Sequence, residues 1–426
     1  MTSIMKRGQA GCQKKKRKAV GIVVDSKKLS KRPNDRIGPQ TFVKYIPSRQ
    51  VRSYSNRYAS NHNLDKLFVW KQLSNMKYLY TLLFIAPFTY PNMATPITLA
   101  SLLSFYVALL SVSCLVVSGD YVNFSKYVLP QGVFGPESAA FRTVGVLVSE
   151  GPYTTTTDGR IFRWQGSNIG FVEFAYTSPH RTRRFCDGNT DPEKSPICGW
   201  PMALSFHQAT GLLYIADAFY GLLVVGPLGG LATQLASGFK FTPGLDVDLL
   251  TGNVYFAVAS TTYDIRNISQ PGFKGDSTGM LLRYNPFNRQ VTVLLTGLAG
   301  SSGPAVSSDG RFVLVPELLA KRIQKYWLVG PKANTAEVFL TLDGNPNKVK
   351  RAANFGEFWV AVSVGFIPPA PIIVPKGVRF NSNGVALQTV PFATQFYNKT
   401  ISIVQEQNNK LYVGSRRTNF IGIYSN

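Results

Sequence analysis

The chain has 426 residues, 45% of them hydrophobic, and a formal net charge of +24. A charge that large fits a nucleic-acid-binding domain only when it is spread evenly or gathered on a folded face. Here residues 1–76 hold 18 Lys and Arg against 3 Asp, a net of +15, which leaves +9 for the other 350 residues. The excess therefore describes an N-terminal extension, and we expect no nucleic-acid partner for the domain behind it.

Residues 1–75 are rich in Lys, Arg, Ser and Asn and poor in apolar clusters, a composition that predicts disorder. The run Lys14-Lys15-Lys16-Arg17-Lys18 has the form of a nuclear address. A hydrophobic segment follows it, however, and would direct the chain to a membrane first. That segment, 76–119, contains two apolar runs. Ile97 to Val117 has no charge and is long enough to cross a bilayer as one helix. It ends in the small residues Ser118-Gly119, so it reads as a cleaved signal peptide or an uncleaved anchor. With the positive charge on its N-terminal side, the rest of the chain faces a lumen. The expected location is the secretory pathway, endoplasmic reticulum lumen or vacuole. Asn123-Phe124-Ser125, Asn267-Ile268-Ser269 and Asn398-Lys399-Thr400 are acceptor triplets for N-glycans, in keeping with that location.

From about Gly135 to Asn426 the chain repeats itself. Six turns lead straight into apolar strands: Asp158-Gly159, Thr210-Gly211, Thr251-Gly252, Asp309-Gly310, Phe355-Gly356 and Asn409-Lys410. After the fourth, Arg311-Phe312-Val313-Leu314-Val315 is a β-run, and Ile323-Gln324-Lys325-Tyr326-Trp327 alternates with period two. One such meander cannot bury its own apolar face and needs copies beside it. A spacing of roughly 40 to 60 residues, with about four strands per unit, is that of a β-propeller blade. The prediction is an all-β, six-bladed propeller around a central channel, closed by pairing the first strand with the last. Val144 to Val148 or a neighbour is the expected partner of Ile421 to Tyr424.

Three blocks carry a resemblance: GLLYIADAFYGLLVV from Gly211, GPAVSSDGRFVLV to RIQKYW from Gly303, and KLYVGSRRTNFIGIY from Lys410. Together they resemble the plant strictosidine synthase-like family, over residues 135–426. The resemblance implies a carbon–nitrogen condensing enzyme of alkaloid biosynthesis, which joins an amine to an aldehyde through an iminium. That chemistry needs a carboxylate to move protons in a mostly apolar pocket. Aligned on Leu411-Tyr412-Val413-Gly414, the family's glutamate position holds Ser402. A lone hydroxyl is no proton acceptor near pH 7. Glu406 lies four residues on, about 13 Å along the same face of a strand. Trp200 stands where the family commonly has Arg. Cys186 and Cys198 bracket a polar loop and read as a disulfide in an oxidising compartment. The resemblance implies a bridge at this place too.

Two other readings compete. Related six-bladed propellers are metal-dependent lactonases and esterases, whose channel ion takes oxygen ligands and polarises an ester carbonyl. Glu150 is the one candidate ligand; Pro243, Val258 and Ser301-Ser302 stand where such enzymes tend to carry Asn or Asp. One carboxylate is no calcium site, so no metal and no cofactor is expected. The other reading is a non-catalytic, glycosylated binder of a small ligand in the central channel. Tyr214, Phe219, Tyr220, Phe241, Phe256, Phe312, Trp359 and Phe366 are its candidate lining, although at strand positions they read first as core between blades. Asp217 reads as a strand-end hydrogen-bonding group.

Overall fold

The computed structural model describes residues 121–145, 148–365 and 372–426. The basic extension 1–75, the hydrophobic segment 76–119 with its candidate anchor 97–117, and Phe366 lie outside the described residues. Among the described residues no helix is long and apolar enough to cross a membrane.

Six sheets form the six blades. Strand β1 (Asn123–Val128) is the edge of the last blade. Blade 1 holds β2 (Ala140–Val144), β3 (Val148–Thr155), β4 (Arg160–Trp164) and β5 (Phe171–Tyr176). Blade 2 holds β6 (Pro201–His207), β7 (Leu212–Asp217), β8 (Gly221–Val225) and β10 (Thr233–Ala236), while β9 (Gly230–Leu231) crosses to pair in parallel with β5. Blade 3 is β11 (Gly244–Val247), β12 (Val254–Val258), β13 (Gly279–Asn285) and β14 (Gln290–Leu298). Blade 4 is β15 (Ala305–Val306), β16 (Phe312–Glu317), β17 (Arg322–Trp327) and β18 (Ala336–Thr341). Blade 5 is β19 (Asn345–Arg351), β20 (Glu357–Val364), β21 (Val374–Asn381) and β22 (Ala386–Pro391). Blade 6 is β23 (Ile403–Gln407), β24 (Lys410–Gly414) and β25 (Phe420–Ser425), completed by β1.

The predicted six-bladed architecture is the one found. Each repeated turn opens the strand that follows a blade's first regular strand. The geometry explains the residue choice: Gly159 has φ +88° and Asn409 φ +57°, backbone conformations that glycine and asparagine tolerate best. An apolar cluster fills the space between every neighbouring pair of blades. Leu204, Leu213 and Ile215 meet Tyr153 and Ile161 between blades 1 and 2, and Phe358 and Val360 meet Phe312 and Leu314 between blades 4 and 5.

Closure differs from the expectation. Val144 turns back on Val148 inside blade 1. The strand that closes the ring lies before Gly135: Asn123 to Val128 pairs antiparallel with Phe420 to Ser425 in unbroken register. Strand β2 is instead the terminal strand of blade 1, paired with β3, and the edge of β25 is taken by β1.

The predicted disulfide is present. Cys186 ends the short helix α1 (Arg183–Cys186) and Cys198 ends α2 (Ser195–Cys198), with Cα atoms 5.4 Å apart and both sulfurs buried. The loop docks on the Asp158-Gly159 turn: Gly188 N–H donates to Asp158 at 2.9 Å and Thr157 Oγ1 to the Asn189 carbonyl at 2.8 Å. A Cβ on Gly159 would meet the Cys198 carbonyl at 1.8 Å, so the turn must be glycine. Replacing both cysteines by serine should lower unfolding free energy by roughly 2–3 kcal/mol, the chain-entropy value for a loop of about a dozen residues. Urea unfolding of the variant beside the parent measures it, and an unchanged midpoint would refute it.

Candidate functional site

The six inner strands converge on the channel, and a cavity of about 70 Å³ opens at one mouth of it. That is room for a few waters or one small organic group, so a larger molecule must extend out of the mouth. Its apolar wall includes Met202, Phe241, Ile268 and Phe273. Its polar wall includes Glu137, Ser302, Asn347, Ser402 and Arg416.

Ser402 is therefore at the mouth, and only 2% exposed. Its hydroxyl donates to Glu137 Oε2 at 3.3 Å. The other carboxylate oxygen, Oε1, accepts the indole N–H of Trp200 at 3.0 Å. Glu137 is the residue that sequence reasoning passed over. It sits in Gly135-Pro136-Glu137-Ser138, just before β2, the extra strand that lies inside the regular first strand of blade 1. Its placement is over-determined. Gly135, at φ +83°, leaves no room for a side chain, since a Cβ would meet Thr157 Cγ2 at 2.3 Å. Pro136 presses against Gly414 of β24, whose Cβ would meet the Pro136 carbonyl at 2.1 Å. Ser138 accepts the Leu204 N–H at 3.0 Å and its carbonyl takes Thr154 Oγ1 at 2.7 Å. Trp200 thus helps to position a carboxylate at the cavity wall.

Arg416 lines the mouth, and Lys348 lies beside the wall residue Asn347 without lining the cavity itself. Arg416 has no hydrogen bond or ion pair with any described residue. Lys348 is fully buried on β19, and burial pushes its amine down to about 8. The pairing of β19 with β20 slips by one residue between Pro346 and Val349, so Asn347 and Lys348 form a bulge. A bulge re-aims side chains that regular alternation would send to opposite faces. Asn347 Oδ1 accepts Ser302 Oγ at 3.0 Å and lies 3.5 Å from Lys348 Nζ.

The other expected positions divide cleanly. Pro243, Ser301 and Ser302 do line the mouth, whereas Val258 belongs to the core between blades 2 and 3. Glu150 is not at the mouth. It sits on β3, 3.7 Å from Arg142 and within 3.2 Å of the Tyr153 hydroxyl, beside Arg163 and Gln165. Among the described residues no three His, Cys, Asp or Glu cluster as metal ligands. Among the described residues the cavity wall has one carboxylate, Glu137, and one half-buried cation, Arg416, a donor set that disfavours a divalent ion. Of the described candidates for the aromatic lining only Phe241 reaches the cavity; Tyr214, Phe256, Phe312 and Trp359 pack between blades, and Phe219 and Tyr220 pack against core clusters. Glu406 lies away from the mouth and accepts from Trp359 Nε1 at 3.0 Å and Ala353 N at 3.1 Å. Asp217 is the hydrogen-bonding hub its position suggested, taking Thr177 Oγ1 and the N–H groups of Trp200, Phe219 and Tyr220. Asn123 and Asn398 are exposed and Asn267 is half-buried.

The described residues thus form a six-bladed propeller with an apolar, carboxylate-bearing channel mouth. The strictosidine synthase family model matches residues 243–331. The chain is 41% identical over 324 residues to strictosidine synthase-like protein 12 of Arabidopsis thaliana, covering 74% of this chain and 93% of that one. It is 38% identical over 282 residues to strictosidine synthase of Catharanthus roseus, covering 64% of this chain and 80% of that one. The chain belongs to the strictosidine synthase-like family. Among solved structures, a gluconolactonase from Xanthomonas campestris superposes with a TM-score of 0.51 at 13% identity, over 73% of this chain and 92% of that one, a likeness of fold alone.

Proposed function

We infer that the channel mouth is a catalytic site for condensation of an amine with an aldehyde, and that Glu137 moves the protons that the family's glutamate position cannot. The observation that carries this is the 3.3 Å contact between Ser402 Oγ and Glu137 Oε2 inside a largely apolar cavity. A carboxylate has reached the vicinity of position 402 from another blade. Iminium formation needs a group that takes a proton from the attacking nitrogen and returns one to the departing oxygen. Glu137 is held by Trp200 and Ser402 without an ion pair within 4 Å among the described residues, so its charge is not already spent on a tight salt bridge. Metal-assisted ester hydrolysis is the weaker reading, because the cavity wall pairs a single carboxylate with the cation Arg416.

The test uses the full chain with a panel of amines and aldehydes that includes tryptamine and secologanin. Product should form with the natural protein. Glu137→Gln should lower kcat by about 100-fold or more, the usual worth of a positioned proton-transfer group. Activity in Ser402→Glu alone, with the natural protein silent, would show that Glu137 does not serve. Silence from both, with ligand binding intact, would leave a binding protein.

A further inference from the structure

We propose that the end of the propeller opposite the channel mouth is a lipid-docking face, which rests on an anionic bilayer and turns the mouth away from it. The inference is independent of the chemistry at the mouth.

The inner strands tell the two ends apart. Strands β6, β19 and β23 start at the mouth, where Met202, Asn345 and Ser402 line the cavity. They run to the far end, where Ser205, Arg351 and Gln407 line a separate pocket. In blades 2 to 5 the turn after the inner strand and the turn before the outermost strand both fall at that far end. In blade 2, for instance, His207 pairs with Leu212, and Val225 pairs with Leu213. Blades 3 and 5 repeat the register, with Val247 to Val254 to Tyr284 and Arg351 to Phe358 to Phe380. Among the described residues, five large apolar side chains are 69% exposed or more, and all five stand at the far end. Leu228, at 100%, and Phe287, at 90%, are in the turns before the outermost strands of blades 2 and 3. Leu250, at 69%, and Phe355, at 77%, are in the turns after the inner strands of blades 3 and 5. Val122, at 73%, leads into β1, whose first residue Asn123 pairs with Ser425, the partner of Lys410 at the opening of β24.

Single apolar residues on a surface are ordinary. The five most exposed ones, raised at the edges of four blades and all at one end, mark a contact face. Their spacing selects the partner. A bound peptide or helix needs a continuous stripe, whereas tips spread around a ring suit a broad surface into which each side chain dips separately. Charge agrees. Arg289, Arg311 and Lys410 are exposed at turns of this end, with no carboxylate within 4 Å among the described residues. Lys332 and Arg142 are paired there with Glu337 and Glu150, and Asp309 is the exposed carboxylate of these turns outside an ion pair. The balance is positive, as anionic headgroups require. The chain also arrives at this end. The uncharged run Ile97 to Val117, long enough to cross a bilayer, stops four residues before Tyr121, and β1 starts here. Connectivity therefore brings the far end, rather than the mouth, to a membrane that receives that run. Docked this way, the mouth opens to the aqueous side, where a soluble ligand enters.

The test is lipid photo-crosslinking. The full chain is mixed with vesicles of phosphatidylcholine and phosphatidylserine at about 3:1, anionic enough to engage the three free cations. A trace of phospholipid carries a diazirine in its acyl chain, and after irradiation the peptides are mapped by mass spectrometry. Adducts should be at least about tenfold more frequent at Leu228, Leu250, Phe287 and Phe355 than at Tyr397, which is 62% exposed in the loop before β23 at the mouth end. In the triple variant Leu228→Ser, Phe287→Ser and Phe355→Ser, checked for folding by circular dichroism, adducts at the unaltered Leu250 should fall at least about fivefold. The turn peptides are the readout, because the run 97–117 can hold the chain on vesicles without them. Adducts confined to 97–117, or no more frequent at the turns than at Tyr397, overturn the proposal. An unchanged Leu250 signal in the triple variant does the same. A dimer that forms without vesicles and is lost in that variant would give the face to a second copy of the chain, and the lipid reading falls.

Discussion

Replacing Trp359 by alanine should lower the unfolding free energy by about 4 kcal/mol, the largest single effect expected in this chain. The indole lies on β20, wholly buried, in the cluster that glues blade 5 to blade 6. Tyr121 meets it edge-on with ring centroids 6.1 Å apart. Removing the ring leaves a void that strands fixed on both sides cannot close, and large-aromatic-to-alanine changes in such cores cost about 3–5 kcal/mol. A second loss adds to the first. Trp359 Nε1 donates to Glu406 Oε2 at 3.0 Å, and without it this nearly buried carboxylate loses one donor and keeps the Ala353 N–H at 3.1 Å. Trp359→Phe separates the two terms. It keeps most of the ring volume and loses the donor, so roughly 1–2 kcal/mol is expected. Equilibrium urea unfolding of the three proteins decides it; equal costs for both variants would mean that the hydrogen bond, not the ring, carries the effect.

Lys348→Met should do the opposite and stabilise the protein at pH 7, by as much as ~3 kcal/mol. The amine titrates at 10.5 unfolded and at about 8 in the fold, because burial, then Lys350 and Arg416, disfavour its charge against the pull of Glu137. The sign follows from proton counts. Between those two values the unfolded chain holds more protons than the native one, so stability rises with pH across that window. Below pH 8 both states are charged and the full penalty is present. From pH 8 to pH 9.5 the natural protein should gain about 2 kcal/mol relative to Lys348→Met. The window stops there for a reason. Tyr121, Tyr255 and Tyr412 are pushed up to about 12, so above pH 10 the unfolded state loses phenolic protons first and stability falls for both proteins. Thermal unfolding of the pair at pH 7, 8, 9 and 9.5 measures the difference. A constant difference would mean that Lys348 keeps an ordinary ionisation.

What the sequence made legible is what repeats. Turn glycines and two-residue alternation are local, and six copies reinforce one another; Gly211 and Gly310, at φ +69° and +67°, occupy the same place in their blades. The site is different in kind. Glu137 and Ser402 are 265 positions apart, and Glu137 lies just before an added strand with no counterpart in the other blades. Asn347, a wall residue of the cavity, lies with Lys348 in a one-residue bulge, which shifts facing without leaving a turn signature. Trp200 acquires meaning only from the carboxylate it touches. Glu150, the one candidate ligand that the sequence offered and by itself no calcium site, lies within β3 beside Gly151-Pro152, where Arg142 and Tyr153 hold it away from the mouth. Ser402 is at the mouth as the resemblance implied, yet its carboxylate neighbour came from an unrelated part of the chain.

The seam between β1 and β25 also sets a timetable. Each of blades 2 to 5 can complete its sheet from a contiguous stretch of chain, so these units can assemble in turn as the polypeptide is made. The last blade cannot. Its outer strand, Asn123 to Val128, must wait for Phe420 to Ser425, and bringing together segments about 300 residues apart carries a loop-closure cost of about 5 kcal/mol. Until then β1 has no partner, and the clusters on both sides of blade 6 lack a wall. Contacts of such long sequence separation make for slow folding. Ring closure is therefore the late, rate-setting event, and the partially assembled chain exposes its apolar blade faces for as long as that event takes.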